Sequence, residues 1–229
     1  MDSGRNGLQI LTPLQIKILD LFSGFTDKDN FYLTGGTALS SCFLKHRKSY
    51  DLEFYTNNEE IIIPFIKKLE TSLIEKQLKV LRLRGMRTVT GFSVDSEEES
   101  VIVSFSEDSP SRFEQPTETS EIHGIKVDSF IDIATNKILA LFERTELEDY
   151  IDIYFLIKDN FSKKELLEKT TIKEPAFDLY WFGIALERID DFPDNHPDLH
   201  LLIKPCSMTE IKDFFKSWRK EIIKEIKQG

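Results

Sequence analysis

The stretch YLTGGTALSSCFLKHRKSYDLEFYT, Tyr32 to Thr56, decides how the rest of the chain is read. "YLT" is a short apolar strand that runs into Gly35–Gly36. Glycines there let the backbone approach a ligand closely. Thr37 can open the next helix as its N-cap, and the free N–H groups of a helix start favour an anion such as phosphate. The helix carries Ala38, Leu39, Cys42 and Phe43 on its apolar side. "YDLEFY" is then a second strand. Side chains two apart on a strand share a face, so Asp51 and Glu53 point one way while Leu52 and Phe54 point the other, toward a core. Two carboxylates so placed repel each other, and a divalent cation between them removes that cost. Mg²⁺ takes hard oxygen ligands, one or two carboxylates plus substrate phosphates. The alternative for the acids is a solvent-exposed strand face, and for the glycines a tight strand-to-helix turn. The spacing is neither G-x-G-x-x-G nor a Walker A loop, so the dinucleotide and P-loop readings lack their signature.

The chain around this stretch has 229 residues, 40% hydrophobic and 31% charged. That is enough apolar material for a core and too much for disorder. The net charge of −10 excludes a broadly basic nucleic-acid binder but not a local basic patch. Two cysteines, Cys42 and Cys206, have no paired spacing, which points to a reducing cytosol rather than a disulfide scaffold. No apolar run approaches the roughly 20 residues that cross a bilayer, and no secretory signal is expected from the first fifteen residues. A cytoplasmic protein without membrane contact is expected.

Periodicity predicts a helix over 11–22, started by Thr12–Pro13, and another over 59–79, interrupted early by Pro64. "KVLRLRG" and "RTVTGFSV" read as strands, and the second forms a hairpin with "SVIVSFS" through the polar turn "DSEEES". The Ser, Pro and acid-rich segment 107–121 reads as a loop, and "IHGIKVDS" as one more short strand. Helices are then expected over 131–144, 149–158, 163–169, 177–189 and 209–227. In the last, Ile211, Phe214, Phe215, Trp218, Ile222 and Ile226 form one stripe. It docks on its own core, or serves a membrane surface or partner helix. The chain thus divides into an α/β part, 1–128, and a helical part, 129–229.

The order Gly35-Gly36-Thr37-Ala38-Leu39, then His46-Arg47-x-Ser49-x-Asp51-Leu52-Glu53, resembles the nucleotidyltransferase AbiEii/AbiGii toxin family of the DNA polymerase β-like nucleotidyltransferase superfamily. A second segment, IDIATNKILALFERTELEDYIDIYFLI (131–157), is similar to the family's D-x-x-x-x-K and D-h-x-D-h segments, where h is apolar. It supplies Asp132, Lys137, Arg144, Asp149 and Asp152. The resemblance covers about Ile10 to Trp218. It implies an α+β fold, with a polymerase β-like core built on a mixed sheet and a helical C-terminal half that completes the active site. It also implies transfer of a nucleotide from an NTP to an acceptor with release of pyrophosphate. RNA such as tRNA is the expected acceptor, in a toxin–antitoxin or abortive-infection setting with an antitoxin partner.

Under that resemblance Asp51 and Glu53 hold Mg²⁺ or Mn²⁺. Gly35, Gly36, Thr37, Arg47, Lys137 and Arg144 contact the nucleotide, and Asp149 and Asp152 act as base or orient the acceptor. Each has a plainer alternative. Arg47 is a surface arginine or fixes Asp51, His46 is a phosphate contact or a buried hydrogen-bonding residue, and Asp132 caps its helix from Ser129-x-x-Asp132 spacing. Asp149 steadies a helix start. Such enzymes also carry a third carboxylate on a neighbouring strand. The positions to inspect, Ser104 and Ser106, are not acids, and Glu107 and Asp108 lie just beyond. Either one of these substitutes, or Asp149 and Asp152 act as base, or the chain is a catalytically weak nucleotide- or partner-binding module. Transfer of the γ-phosphate is a further alternative. Arg82 and Arg84, with Arg87 nearby, read equally as an acceptor contact and as charge defending a strand edge. His196-x-x-x-His200 has zinc-like spacing but lacks a third ligand.

Overall fold

The computed structural model describes residues 10–83, 89–109 and 111–228. The chain divides into two compact units, Met1–Phe130 and Ile131–Gly229. The first unit holds helix α1 (Pro13–Ser23), strand β1 (Tyr32–Thr34), a short helix α2 (Gly35–Ala38) that widens into a π-helical turn over Leu39–Leu44, and strand β2 (Leu52–Thr56). Helix α3 (Ile62–Glu75) and strands β3 (Lys79–Leu83), β4 (Val89–Asp95), β5 (Ser100–Glu107), β6 (Thr117–Glu118) and β7 (Lys126–Val127) follow.

The strands form one mixed sheet in the order β3-β4-β5-β2-β1-β7-β6. The β1–β7 and β2–β5 pairs are parallel, and β1–β2, β3–β4, β4–β5 and β6–β7 are antiparallel. One face is the core. Phe22 of α1 stacks on Phe54 of β2 with ring centroids 4.1 Å apart, and Phe31, Phe65 and Phe105 close the cluster. All five are fully buried, so each contributes on the order of 1.5–3 kcal/mol by leaving water. Strand alternation then sends Glu53 and Tyr55 to the opposite face, where β1 places Tyr32 and Thr34 beside them.

Helix α1 starts as its sequence predicts, on a Thr12–Gln15 capping box with Pro13 in the first turn. Several boundaries differ from expectation, among them the helix expected over 163–169, which runs four residues further, to Lys173. The helix after the glycine pair begins at Gly35, with Thr34 rather than Thr37 at its N-cap. The helix predicted over 59–79 is a 3₁₀ turn at Glu59–Ile61 followed by α3 ending at Glu75. Pro64 falls in its first turn, where no N–H is needed, and Gln77 at φ 61° turns the chain into β3. The loop 107–121 contains β6, a two-residue edge strand. Arg84 and Arg87 lie outside the described residues.

The second unit contains α4 (Phe130–Glu143, its first residue in the first unit), α5 (Leu147–Asp159), α6 (Lys163–Lys173), α7 (Leu179–Glu187) and α8 (Met208–Ile226). Helix α8 buries Ile211, Phe215, Trp218 and Ile222, with Trp218 edge-on to Phe182 of α7 at 5.4 Å. Its stripe therefore docks on the core of its own unit, though Ile226 at the end is exposed. Among the described residues no helix is long and apolar enough to cross a membrane.

Candidate active site

Gly35 has φ +71°, a left-handed conformation that only glycine adopts without strain. A β-carbon there would collide with the carboxylate of Glu53. At Gly36 a β-carbon would stand 2.7 Å from Nη2 of Arg47 and 2.9 Å from Oγ of Ser49. The glycine pair is thus what lets the 47–53 segment lie directly against the turn. The turn and the acids, read from sequence as neighbours, form one packed unit.

The loop carrying Asp51 is held from beneath. Nε2 of Gln15 donates to the carbonyl of Ser49 at 2.9 Å, and the Thr37 hydroxyl donates to the carbonyl of Asp51. Thr37 is buried, so its hydroxyl positions Asp51's backbone rather than pointing at solvent. Arg47 is 2% exposed and donates from Nη1 to the carbonyl of Lys48 at 3.1 Å. This is not the surface arginine of the plainer reading. His46 is fully buried with Nδ1 3.4 Å from the Ser40 hydroxyl, which makes it a hydrogen-bonding residue of the interior. Burial raises the Cys42 thiol above its usual range, so Cys42 is a poor nucleophile.

Asp51 precedes β2 and is exposed, Glu53 is half-buried, and burial alternates from Asp51 to Tyr55. Glu53 lies opposite Thr34 on one side and Ser104 on the other. Ser104 therefore occupies the strand position where a third carboxylate was sought. Among the described residues no group of three His, Cys, Asp or Glu could hold a metal ion. Two carboxylates at an open turn fit a cation that brings its own oxygen ligands on a triphosphate, not one caged by protein alone.

Asp108 is engaged elsewhere, in a network that sequence reading missed. Arg112 ion-pairs with both Asp108 and Asp128, and its Nη1 donates to the Tyr32 hydroxyl at 2.7 Å. The Thr34 hydroxyl donates to Oδ2 of Asp128 at 2.8 Å. The side chains of Arg112, Asp108 and Asp128 are 7%, 3% and 0% exposed. Burial opposes the Arg112 charge, but the two carboxylates more than offset this and strengthen its hold on the proton. Burial, and next Asp108, push the Tyr32 phenol well above its usual range. The network ties the 108–112 loop and the end of β7 to Thr34, the residue that leads into the glycine turn. The only hints in sequence were an arginine in an acid-rich loop and an aspartate closing a strand.

In the second unit, the Lys137 ammonium lies 2.9 Å from Asp149 and 2.7 Å from Asp152, whose side chains are fully buried. Arg144, half exposed, reaches Asp149 through Nε at 2.8 Å. Four of the five residues singled out in 131–157, Lys137, Arg144, Asp149 and Asp152, thus bind one another, and their formal charges cancel. Asp132 takes the buried ammonium of Lys173 at 2.8 Å, joining α4 to α6. Arg82 lies on the core side of its strand and bonds to Glu70. His196 accepts from the Asp198 N–H at 3.3 Å, a helix-start cap rather than half of a zinc site.

The model for the AbiEii nucleotidyltransferase toxin of type IV toxin–antitoxin systems matches residues 17–220. An uncharacterised protein of Aquifex aeolicus, aq_aa25, is 30% identical over 196 residues, covering 85% of this chain and 89% of that one. A candidate nucleotidyltransferase from Helicobacter pylori shares the fold at TM-score 0.58 and 16% identity, over 100% of this chain and 98% of its own. MenT4, a nucleotidyltransferase toxin of Mycobacterium tuberculosis H37Rv, does so at TM-score 0.55 and 15% identity, over 93% and 84%. The match over residues 17–220 shows that this chain belongs to the AbiEii family of nucleotidyltransferase toxins.

Proposed function

We propose that this chain moves a nucleotide from a metal-bound NTP to a hydroxyl of RNA, with tRNA the first acceptor to test. The observation that carries the proposal is the Glu53 carboxylate lodged against the α-carbon of Gly35, with exposed Asp51 two residues before it. In this reading Asp51 and Glu53 hold Mg²⁺ or Mn²⁺, which would neutralise the triphosphate and steady the leaving pyrophosphate. The backbone of Gly35–Gly36 lies along the phosphates. Thr37 and Gln15 keep the Asp51 loop in place, and Arg47 braces the turn. The acceptor oxygen forms its bond to the α-phosphorus. The bond from that phosphorus to the α–β bridging oxygen breaks, and its electron pair leaves with pyrophosphate. The hydroxyl proton passes to solvent, since Ser104 offers no carboxylate. Lys137, Arg144, Asp149 and Asp152 belong to the same proposal as residues the reaction requires.

A second reading is a module of the same fold that binds nucleotide and turns it over poorly. Ser104 opposite Glu53 favours it. Incubation with α- and γ-labelled NTPs and a tRNA pool decides between the two. Label moving from the α position supports transfer, and label moving from neither overturns it. Mg–NTP binding that survives Asp51→Ala without turnover in either form supports the module. An antitoxin partner is part of the first reading, and relief of growth arrest by the neighbouring gene tests it.

A further inference from the structure

Thr34 stands between two carboxylates on one face of the sheet. It pairs with Glu53 of β2 on one side. On the other, the Asp128 N–H donates to the Leu33 carbonyl at 2.8 Å, which carries the β1–β7 ladder one residue past its last pair and brings Asp128 alongside Thr34. Thr34 is also the N-cap of α2, the residue from which the glycine turn starts. A threonine in that place ordinarily accepts a hydrogen bond from its own helix. Thr34 makes no such bond, and its hydroxyl donates to Oδ2 of Asp128 at 2.8 Å instead.

Asp128 is in turn fixed by Arg112. Its Oδ1 accepts from Nη2 of Arg112 and, at 2.8 Å, from the Ser129 N–H. The guanidinium lies over the Tyr32 ring, 4.6 Å from its centroid, and Nη1 donates to Asp108 and to the Tyr32 hydroxyl. Asp108 belongs to the other end of β2, where its N–H donates to the carbonyl of Thr56. Arg112 therefore spans β1, from the end of β2 remote from Asp51 to the residue that starts the turn. Two separate Nη groups are needed to bridge the two acids, and a lysine, as a point charge, holds one. Stability alone does not explain the arrangement. Thr34 forgoes its cap bond, and Nε of Arg112 is buried with no hydrogen-bond partner among the described residues.

We infer that Arg112 and Asp128 are positioning residues for nucleotide transfer. Through the Thr34 hydroxyl they hold the glycine turn where the Glu53 carboxylate lies against Gly35. The inference rests on the nucleotidyltransferase reading above. Both side chains are buried, so they act on the site through Thr34 and not on a ligand. A displacement of about 1 Å in a reacting site costs up to roughly a hundredfold in rate. Loss of the single bond at Thr34 therefore reads out in catalysis before it reads out in folding.

The test uses the full chain with Thr34→Val, Thr34→Ser, Arg112→Lys, and Thr34→Val combined with Arg112→Lys. Transfer from α-labelled NTP to a tRNA pool gives kcat per folded molecule, calorimetry gives Mg–NTP affinity, and urea unfolding gives the folded fraction. Valine keeps the branched shape of threonine and removes the hydroxyl. Thr34→Val is expected to lower kcat about tenfold or more and Mg–NTP affinity about threefold or more at an unchanged folded fraction, and Thr34→Ser to restore both. Arg112→Lys is expected to act in the same direction. The double variant should fall within about twofold of the weaker single, because both substitutions break one chain of contacts. Thr34→Val with wild-type kcat and affinity would overturn the inference, and it decides the matter alone if Arg112→Lys fails to fold. Effects that multiply in the double variant would also overturn it, since Arg112 would then not act through Thr34. A wild type that binds Mg–NTP but transfers no label would sink the nucleotidyltransferase reading instead, and the affinities of the same variants would still show whether the network positions the turn.

Discussion

Gly35 and Glu53 compete for the same space. The carboxylate lies where a β-carbon at position 35 would stand, and the glycine's positive φ holds the turn in that place. Gly35→Ala therefore moves Glu53 and strains the backbone together. The expected outcome is at least tenfold weaker Mg–NTP binding, with a loss of about 1 kcal/mol or more in stability. Calorimetry and urea unfolding on the same preparation measure both. Unchanged nucleotide affinity would show that Glu53's position is irrelevant to binding.

Ser104 stands opposite Glu53 on the adjacent parallel strand. Ser104→Asp places a third carboxylate within reach of the same cation. Titration with Mn²⁺, followed by its electron paramagnetic resonance signal, should show tighter or additional binding in the variant. An unchanged isotherm would mean that this position lies outside the metal's reach.

Local chemistry made much of this fold legible. Thr12–Pro13, the alternation of Leu52 and Phe54, and the stripe on α8 each declare an element and its buried side. The glycine turn and Asp51-x-Glu53 were readable because they lie within one short stretch. The Arg112–Asp108–Asp128 network was not, because its partners meet through folding of a loop whose composition looks merely polar. The burial of Arg47 and Thr37 was equally hidden, while that of His46 was one of its two readings. Polar residues beside a candidate site suggest ligand contact, and only packing reveals that Thr37 and Arg47 also donate to carbonyls of the loop itself.

Glu210 closes the capping box of α8 by accepting from the Ser207 N–H at 2.8 Å and from its hydroxyl at 2.9 Å. The backbone bond first, then the side-chain bond, lowers its pKa. A lowered carboxylate stabilises the fold fully above its unfolded value and loses that contribution as acid takes the pH down through the folded value. Glu210→Gln should therefore lower the unfolding midpoint at neutral pH, with the difference from wild type shrinking below the ordinary carboxylate range. A difference that grows in acid would contradict the assignment. Ser207→Ala removes the cap itself, at about 1 kcal/mol.

Lys137 provides the sharpest separation of folding from chemistry. Its ammonium is buried between Asp149 and Asp152, and Asp51 stands in solvent. Lys137→Met removes the ammonium that both buried carboxylates share, and breaking such a buried pair costs on the order of 3–5 kcal/mol. Asp51→Ala, at an exposed position, should cost much less than that while abolishing transfer of the α-label. Chemical denaturation of both variants beside the labelled-NTP assay gives the comparison. Lys137→Met at wild-type stability would show that the buried contacts are not what the lysine is for. Asp51→Ala with full transfer would remove Asp51 from the metal site.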